Sequence, residues 1–366
     1  MAITRLEIDL AALRHNYSYL RKKVAPSVKV MAVVKAFGYG SDAGAVAQEL
    51  EIQGVNYFAV AYVSEGVALR DAGITTPILV LHPQPDNFET LLERCLEPNI
   101  YSRRMLEMFS AFAKAKKQTA YPIHLKFNTG LNRLGFLNTD VPWILDRLSE
   151  NMSLKVASLF SHLVASEDPT EEEFTLNQIL QFTNISKELL QGLDYVPFMH
   201  MTNTSGVINY HRAHFDCVRI GIGLYGYGNN KEETENLKPV ARLKSVISQI
   251  HHIKAGQSVG YNRAYKATEN IITATIPIGH ADGISRAYGN GVGYVTIAGE
   301  KAPFVGNVCM DMIMVNVTNI ACEEGDDVEI FGTQTGADAL AQEVQSISYE
   351  LLTMVGQRVK RVVLRD

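Results

Sequence analysis

Cysteine and tryptophan are scarce in this chain: four Cys and one Trp among 366 residues. Cys95, Cys217, Cys309 and Cys322 lack the paired spacing of a metal site, and a chain of this size does not depend on a disulfide framework. Excess positive charge is also missing, since the formal net charge is -5 at pH 7. There is no basic field for nucleic acid or for an anionic membrane surface, so any bound phosphate must be held by local donors. No uninterrupted apolar stretch approaches membrane-spanning length. The segment Met1 to Asp9 has no apolar signal-peptide core, and the cytoplasm is the expected compartment. What is present, 46% hydrophobic and 20% charged residues, is ordinary for a globular protein with a sizeable core, long enough for two domains or for one barrel with an extension.

The first part of the chain alternates buried strands with amphipathic helices. Asp9 is placed to cap a helix in which Leu10, Leu13, Tyr17 and Leu20 share a face, ending near Pro26. Strands are predicted at 28–34, 57–60, 77–81, 123–127, 154–160, 198–201 and 217–220, with helices at 42–50, 64–71, 103–115, 140–148 and 171–190. Such alternation favours a parallel sheet, and a closed barrel and an open doubly wound sheet look alike at this level. The texture changes after Lys231-Glu232-Glu233-Thr234-Glu235, read as a charged, exposed linker. From Pro239 onward the strands are short and punctuated by glycine, at 243–253, 271–276, 293–297, 312–317 and 327–330, with one helix at 337–349. This pattern suggests an antiparallel β-domain. The expected division is 1–235 and 236–366, the first few residues being free to pair with the second unit.

One lysine closes a run of strand-forming residues, Val30 to Val34, and is followed by Gly38-Tyr39-Gly40. At the rim of a core Lys35 is partly desolvated, which lowers its pKa and makes a nucleophilic amine of the kind Schiff-base enzymes use. The plain alternative is a strand-end lysine snorkelling to water. Lys35, Arg133, His162, Asn203 and Arg219 all fall at or just past predicted strand ends, where a barrel carries its functional residues.

Several segments occur together: Val33-Val34-Lys35-Ala36-Phe37-Gly38-Tyr39-Gly40, Lys126-Phe127-Asn128-Thr129-Gly130-Leu131-Asn132-Arg133-Leu134-Gly135, Phe160-Ser161-His162 and Asn203-Thr204-Ser205. Further on come Val218-Arg219-Ile220-Gly221-Ile222-Gly223-Leu224-Tyr225-Gly226, Gly260-Tyr261, Pro277-Ile278-Gly279-His280-Ala281-Asp282-Gly283, Cys309-Met310-Asp311 and Ile347-Ser348-Tyr349. In this order and over nearly the whole chain, the set resembles the alanine racemases, enzymes that use pyridoxal 5'-phosphate to interconvert L- and D-alanine. The resemblance implies an N-terminal (β/α)8 barrel followed by a mainly antiparallel β-domain, and a homodimer with shared active sites. It also implies an amino acid as substrate, and D-alanine for peptidoglycan as product.

The resemblance assigns roles residue by residue. Lys35 would bind the cofactor as a Schiff base and serve as the base for D-alanine, with Tyr261, reaching the other subunit's barrel, as the base for L-alanine. Racemisation moves a proton off one face of a planar carbanion and onto the other, so two bases are wanted, although a phenol is a poor one at its reference pKa of about 10. Arg219 would face the pyridine nitrogen, where many such enzymes place a carboxylate, and His162 would support it. A guanidinium only donates, so that nitrogen would stay unprotonated and the ring would be a weaker electron sink. Tyr39, Thr204, Gly221, Ile222 and Tyr349 match the phosphate ligands, and Asn203 joins the cofactor contacts. Arg133 would reach the cofactor's phenolic oxygen and, with the backbone N–H of Met310, take the substrate carboxylate. Lys126 matches a lysine often carbamylated in the family, which would turn a cation beside Arg133 into an anion; no metal is implied.

Two positions depart from the family pattern: Asn128 stands where aspartate is usual, and His280 where tyrosine is common on the substrate access path. Other readings on the same residues are a racemase for serine or a larger amino acid, a related decarboxylase, a non-catalytic pyridoxal-phosphate-binding protein, and a cofactor-free Schiff-base aldolase. The β-domain with Tyr261 argues against the third, and the phosphate-like cluster against the fourth.

Overall fold

Asp9 ends the first strand and begins the first helix in the same residue. In the computed structural model, which describes residues 3–149 and 151–365, Arg5–Asp9 (β1) runs into helix Leu10–Lys22, and the Asp9 carboxylate accepts the Ala12 N–H at 2.9 Å. Such a cap contributes about 1 kcal/mol. Leu10, Leu13, Tyr17 and Leu20 are all buried, as the spacing predicts. Burial of each is worth about 1.5–3 kcal/mol, so packing and not propensity holds the helix in place.

Eight parallel strands then close into a barrel in chain order: Lys29–Val33 (β2), Tyr57–Val60 (β3), Ile78–Val80 (β4), Glu97–Ile100 (β5), Tyr121–Lys126 (β6), Leu154–Phe160 (β7), Phe198–His200 (β8) and Cys217–Ile220 (β9). Closure is made by β2 pairing with β9, Met31 opposite Arg219. The interior is divided by chemistry. Met31, Ala59, Leu79 and Cys217 form a small buried apolar cluster, whereas β5 to β9 bury Asn99, His124, Lys126, Ser158, His200 and Arg219. Polar side chains at that depth persist only where they are hydrogen-bonded to one another or to a ligand.

After the barrel, Ala241–Val246 (β10), Gln249–Ile253 (β11), Ser258–Val259 (β12), Tyr265–Lys266 (β13), Ile271–Ile276 (β14), Tyr294–Ile297 (β15), Glu300–Pro303 (β16), Ile313–Asn316 (β17), Asp327–Phe331 (β18) and Lys360–Leu364 (β19) build the second unit. They form a six-stranded sheet in the order β16-β15-β18-β10-β1-β19, a three-stranded sheet β11-β14-β17 and the pair β12-β13. All these pairings are antiparallel except β1 with β19.

Four expectations need correction. Strand β5 was not expected, because Glu97, Pro98 and Asn99 are poor strand formers; pairing with both neighbours overrides them. The charged stretch after Asn230 leaves Lys231, Glu232 and Glu235 exposed, as expected of a linker, but it is helical and buries one carboxylate. Asn230 caps a short helix, Lys231–Thr234, and Glu233 is only 3% exposed, its carboxylate accepting from Ser205, Asn209 and Asn229. The stretch 243–253 is two strands in different sheets, and 337–349 contains two short helices, Ala337–Gln342 and Ser348–Thr353, joined by a turn at Gln345 with φ of 56°. Among the described residues no helix is long and apolar enough to cross a membrane, and no group of His, Cys, Asp and Glu could hold a metal ion.

Candidate active site

The C-terminal ends of the barrel strands surround a cavity of about 540 Å³. Lys35, Tyr39, Lys126, Arg133, His162, Asn203, Thr204, Arg219, Gly221, Ile222 and Tyr349 all line it, eleven residues gathered from scattered segments.

Lys35 stands at its mouth, directly after β2, on a turn of the wrong hand. Ala36, Phe37, Gly38 and Tyr39 have φ of 53°, 56°, 65° and 52°. Left-handed backbone costs roughly 1–2 kcal/mol at each residue other than glycine. Two features hold the turn. The Glu65 carboxylate accepts the Ala36 N–H at 2.6 Å, and Gly40 (φ 80°) lies so close to the Leu352 carbonyl that no Cβ fits. Burial, and next the positive charge of Arg133, hold the Lys35 amine below the usual lysine range, while Glu65 pulls the other way. The lowered proton affinity makes the amine a better nucleophile than an ordinary surface lysine.

Lys126, at the end of β6, is more deeply buried, 7% exposed. Burial first, then Arg133, Arg219 and Lys35, bring its pKa down to about 8. The Asn128 Oδ1 accepts the N–H groups of Gly130 and Asn132, and its amide donates to Asn132 Oδ1. These bonds close a turn in the loop that leads to Arg133.

Arg219, on β9, is buried without a carboxylate beside it. Its Nη1 donates to His200 Nδ1 at 2.6 Å, and the two hydrogens of its Nη2 are shared among His162 Nδ1 at 2.8 Å and the carbonyls of Ser161 and Met201 at 2.9 and 3.1 Å. Burial lowers its pKa to about 10, so it remains cationic at neutral pH. The same burial, together with Arg219, pushes His162 and His200 well below the ordinary histidine range and keeps both rings neutral acceptors. Phe160 lies parallel to His200, centroids 4.7 Å apart, and the Arg219 guanidinium sits 5.5 Å from its ring. His162 was foreseen and His200 was not. The signal was present: alternation along β8 turns Phe198 and His200 to the same face, and His200 pairs with Cys217 on β9, two residues before Arg219.

At the other side of the cavity hydroxyls and backbone amides converge. The N–H groups of Gly221 and Gly223 both donate to Thr204 Oγ1, at 3.2 and 3.3 Å. A Cβ on Gly221 would come within 2.5 Å of the Tyr39 hydroxyl. Burial drives the pKa values of Tyr39 and Tyr349 upward, so both stay protonated; the Tyr349 hydroxyl donates to Asn229 Oδ1 at 3.2 Å. Asn203 spends its Oδ1 on the Gly206 N–H and the Ser166 hydroxyl, leaving its amide hydrogens for a ligand. Neutral donors and amides around a space that a Cβ would fill fit a phosphate group. A reactive amine at one end, a donor-only cation at the floor and a phosphate cradle opposite fit pyridoxal phosphate as a whole.

Tyr261 and Met310 are not brought to this cavity within the chain. They line a separate cleft of about 860 Å³ on the β-rich unit, together with His280, and are 75% and 59% exposed.

The fold and cavity define a lysine-dependent barrel enzyme of the Schiff-base class. Residues 8–229 match the family described as alanine racemase, N-terminal domain, and residues 240–363 that described as alanine racemase, C-terminal domain. The alanine racemase of Citrifermentans bemidjiense is 36% identical over 99% of this chain and 98% of its own length. The structure of the alanine racemase from Clostridium difficile 630 superposes with a TM-score of 0.92 at 31% identity, over 100% of this chain and 96% of that one. That from Bartonella henselae with covalently bound pyridoxal phosphate gives 0.89 at 28% identity over 100% of both chains. The chain belongs to the alanine racemase family.

Proposed function

We propose that this protein interconverts L- and D-alanine with pyridoxal 5'-phosphate, as a cytoplasmic homodimer that supplies D-alanine for peptidoglycan. When bound, the cofactor supplies an electron-withdrawing ring that acidifies the Cα–H of an attached amino acid. Tyr39, Thr204 and the Ile222 amide would hold its phosphate, with Tyr349 and the Gly221 amide turning to it from Asn229 and Thr204, and Asn203 would add a donor. Lys35 would hold it covalently and, displaced by the substrate amine, take or return the proton on one face of Cα. Its depressed pKa supports this role, because a permanently charged ammonium could not accept that proton.

Arg219 would donate to the ring nitrogen and, keeping its proton at neutral pH, leave that nitrogen an acceptor. His162, neutral and bonded to Nη2, would keep the fork in place. Arg133 would bind the substrate carboxylate, helped by the Met310 N–H of the partner subunit. Tyr261 of the partner subunit would move the proton on the opposite face. The reading of shared sites is supported by the exposure of Tyr261 and Met310 on a cleft apart from the cavity. Carbamylation of Lys126 is supported by its low proton affinity amid three cations, Arg133, Arg219 and Lys35. An anionic carbamate there would relieve their repulsion and orient Arg133.

The observation that carries this reading is the pairing, in one cavity, of an amine with depressed basicity and a buried guanidinium in place of a carboxylate. The test is racemisation of a panel of L-amino acids with added pyridoxal phosphate, followed by polarimetry. Alanine should lose its optical rotation fastest. A protein that stays colourless with the cofactor and leaves alanine's rotation unchanged overturns the proposal.

A further inference from the structure

Five side chains form an unbroken hydrogen-bonded path through the barrel, one from each strand from β5 to β9. Glu97 Oε2 lies 2.7 Å from His124 Nε2, and His124 Nδ1 lies 2.6 Å from Ser158 Oγ. Ser158 Oγ lies 3.0 Å from His200 Nε2, and His200 Nδ1 lies 2.6 Å from Arg219 Nη1. His124, Ser158 and His200 have no solvent exposure. The Glu97 side chain keeps 12%, at the N-terminal end of its strand, so the path joins the far rim of the barrel to the cavity.

The hydrogens on this path follow from what each group can donate. A guanidinium has no acceptor, so His200 Nδ1 accepts and the single hydrogen of the neutral ring sits on Nε2. That hydrogen points at Ser158 Oγ, and the serine hydrogen is then left for His124 Nδ1. His124 carries its own hydrogen on Nε2 and gives it to Glu97, which as a carboxylate only accepts. All four bonds therefore run in one sense, from cation to anion, an arrangement in which each bond polarises the next.

The path also answers what balances a buried guanidinium that has no acid beside it. A carboxylate in contact would take two donors of the fork at once and draw them away from the cavity. Here the negative charge stands four bonds away and acts through neutral rings.

We propose that Glu97 is a positioning residue for racemisation: through His124 and Ser158 it polarises His200, seats the Arg219 fork and so tunes the donor offered to the cofactor's ring nitrogen. This rests on the role given to Arg219 above.

Two readouts test it. In protein labelled with ¹⁵N-histidine, His124 and His200 should both be protonated at Nε2 alone. Glu97→Gln keeps an oxygen in place but removes the charge. It should move the His200 ring signals, displace the absorption band of the bound cofactor, and lower kcat by about three- to tenfold with the KM for alanine unchanged. Circular dichroism should match the parent. Ser158→Ala opens the path, and adding Glu97→Gln to that variant should change nothing further at His200. The idea is overturned if His200 ignores Glu97→Gln, or responds equally with Ser158 removed. It is also overturned if the histidine signals move while the cofactor band and kcat do not. The histidine signals can be read without cofactor, so failure to bind pyridoxal phosphate would sink the functional reading and leave this path to be judged by itself.

Discussion

Glu65 accepts the backbone N–H of Ala36, 2.6 Å from its Oε1, while its Oε2 takes the N–H of Ala61 at the same distance. One carboxylate thus ties the left-handed turn that carries Lys35 to the end of the neighbouring strand. Glu65→Ala should free both amides, together with that of Tyr62 at 3.2 Å, and cost about 1–3 kcal/mol of stability, measured by urea denaturation. Glu65→Gln keeps one acceptor oxygen but removes the charge that supports the Lys35 ammonium. The Lys35 pKa should then fall further, read from the pH dependence of its chemical modification in cofactor-free protein. An unchanged Lys35 titration would show that Glu65 acts on the turn alone.

Gly221 lies where a methyl group would strike the Tyr39 hydroxyl. Gly221→Ala should weaken binding of pyridoxal phosphate by about tenfold or more, roughly 1.4 kcal/mol, with little change in the melting of the cofactor-free protein. Titration of the variant with cofactor, followed by absorbance, gives the comparison.

Carbamate formation needs a neutral amine. With its pKa at about 8, Lys126 should be about half neutral at pH 8 and about one-tenth neutral at pH 7. Incorporation of ¹³C-labelled bicarbonate, seen by NMR, should therefore grow as pH rises from 7 to 8.5 and vanish in Lys126→Met. A signal that persists in that variant would belong to another amine.

Mixing Lys35→Ala chains with Tyr261→Phe chains should restore part of the racemase activity that each lacks. Heterodimers would contain one cavity with both groups intact. Tyr261→Phe alone should depress turnover from L-alanine more than binding, since it removes the hydroxyl and keeps the ring. Confirmed heterodimers without activity would place both groups on one chain.

Much of the barrel was legible because its signals are local. Asp9 followed by Leu10, Leu13, Tyr17 and Leu20 reads as cap and stripe, and Tyr57–Val60 as strand, before any tertiary contact is known. Strand β5 was not legible, because Glu97, Pro98 and Asn99 are held in the sheet by their neighbours and, for Glu97, by His124. Glu233 misled for a related reason: a charged run is usually solvated, and only its distant partners Ser205 and Asn209 draw this carboxylate inside. For the site, Lys35 and Arg219 follow from position at strand ends. The turn from Ala36 to Tyr39 does not, since Ala, Phe and Tyr rarely adopt that backbone and sequence offers no hint that Glu65 compels it.

Strand β1 lies between β10 and β19, yet the next residue, Leu10, begins the helix laid against the barrel. Neither half can be withdrawn without tearing out a strand hydrogen-bonded along both edges. Loss of structure on heating should therefore take both halves in a single transition, and a protease should find no cut that frees a barrel still able to stand.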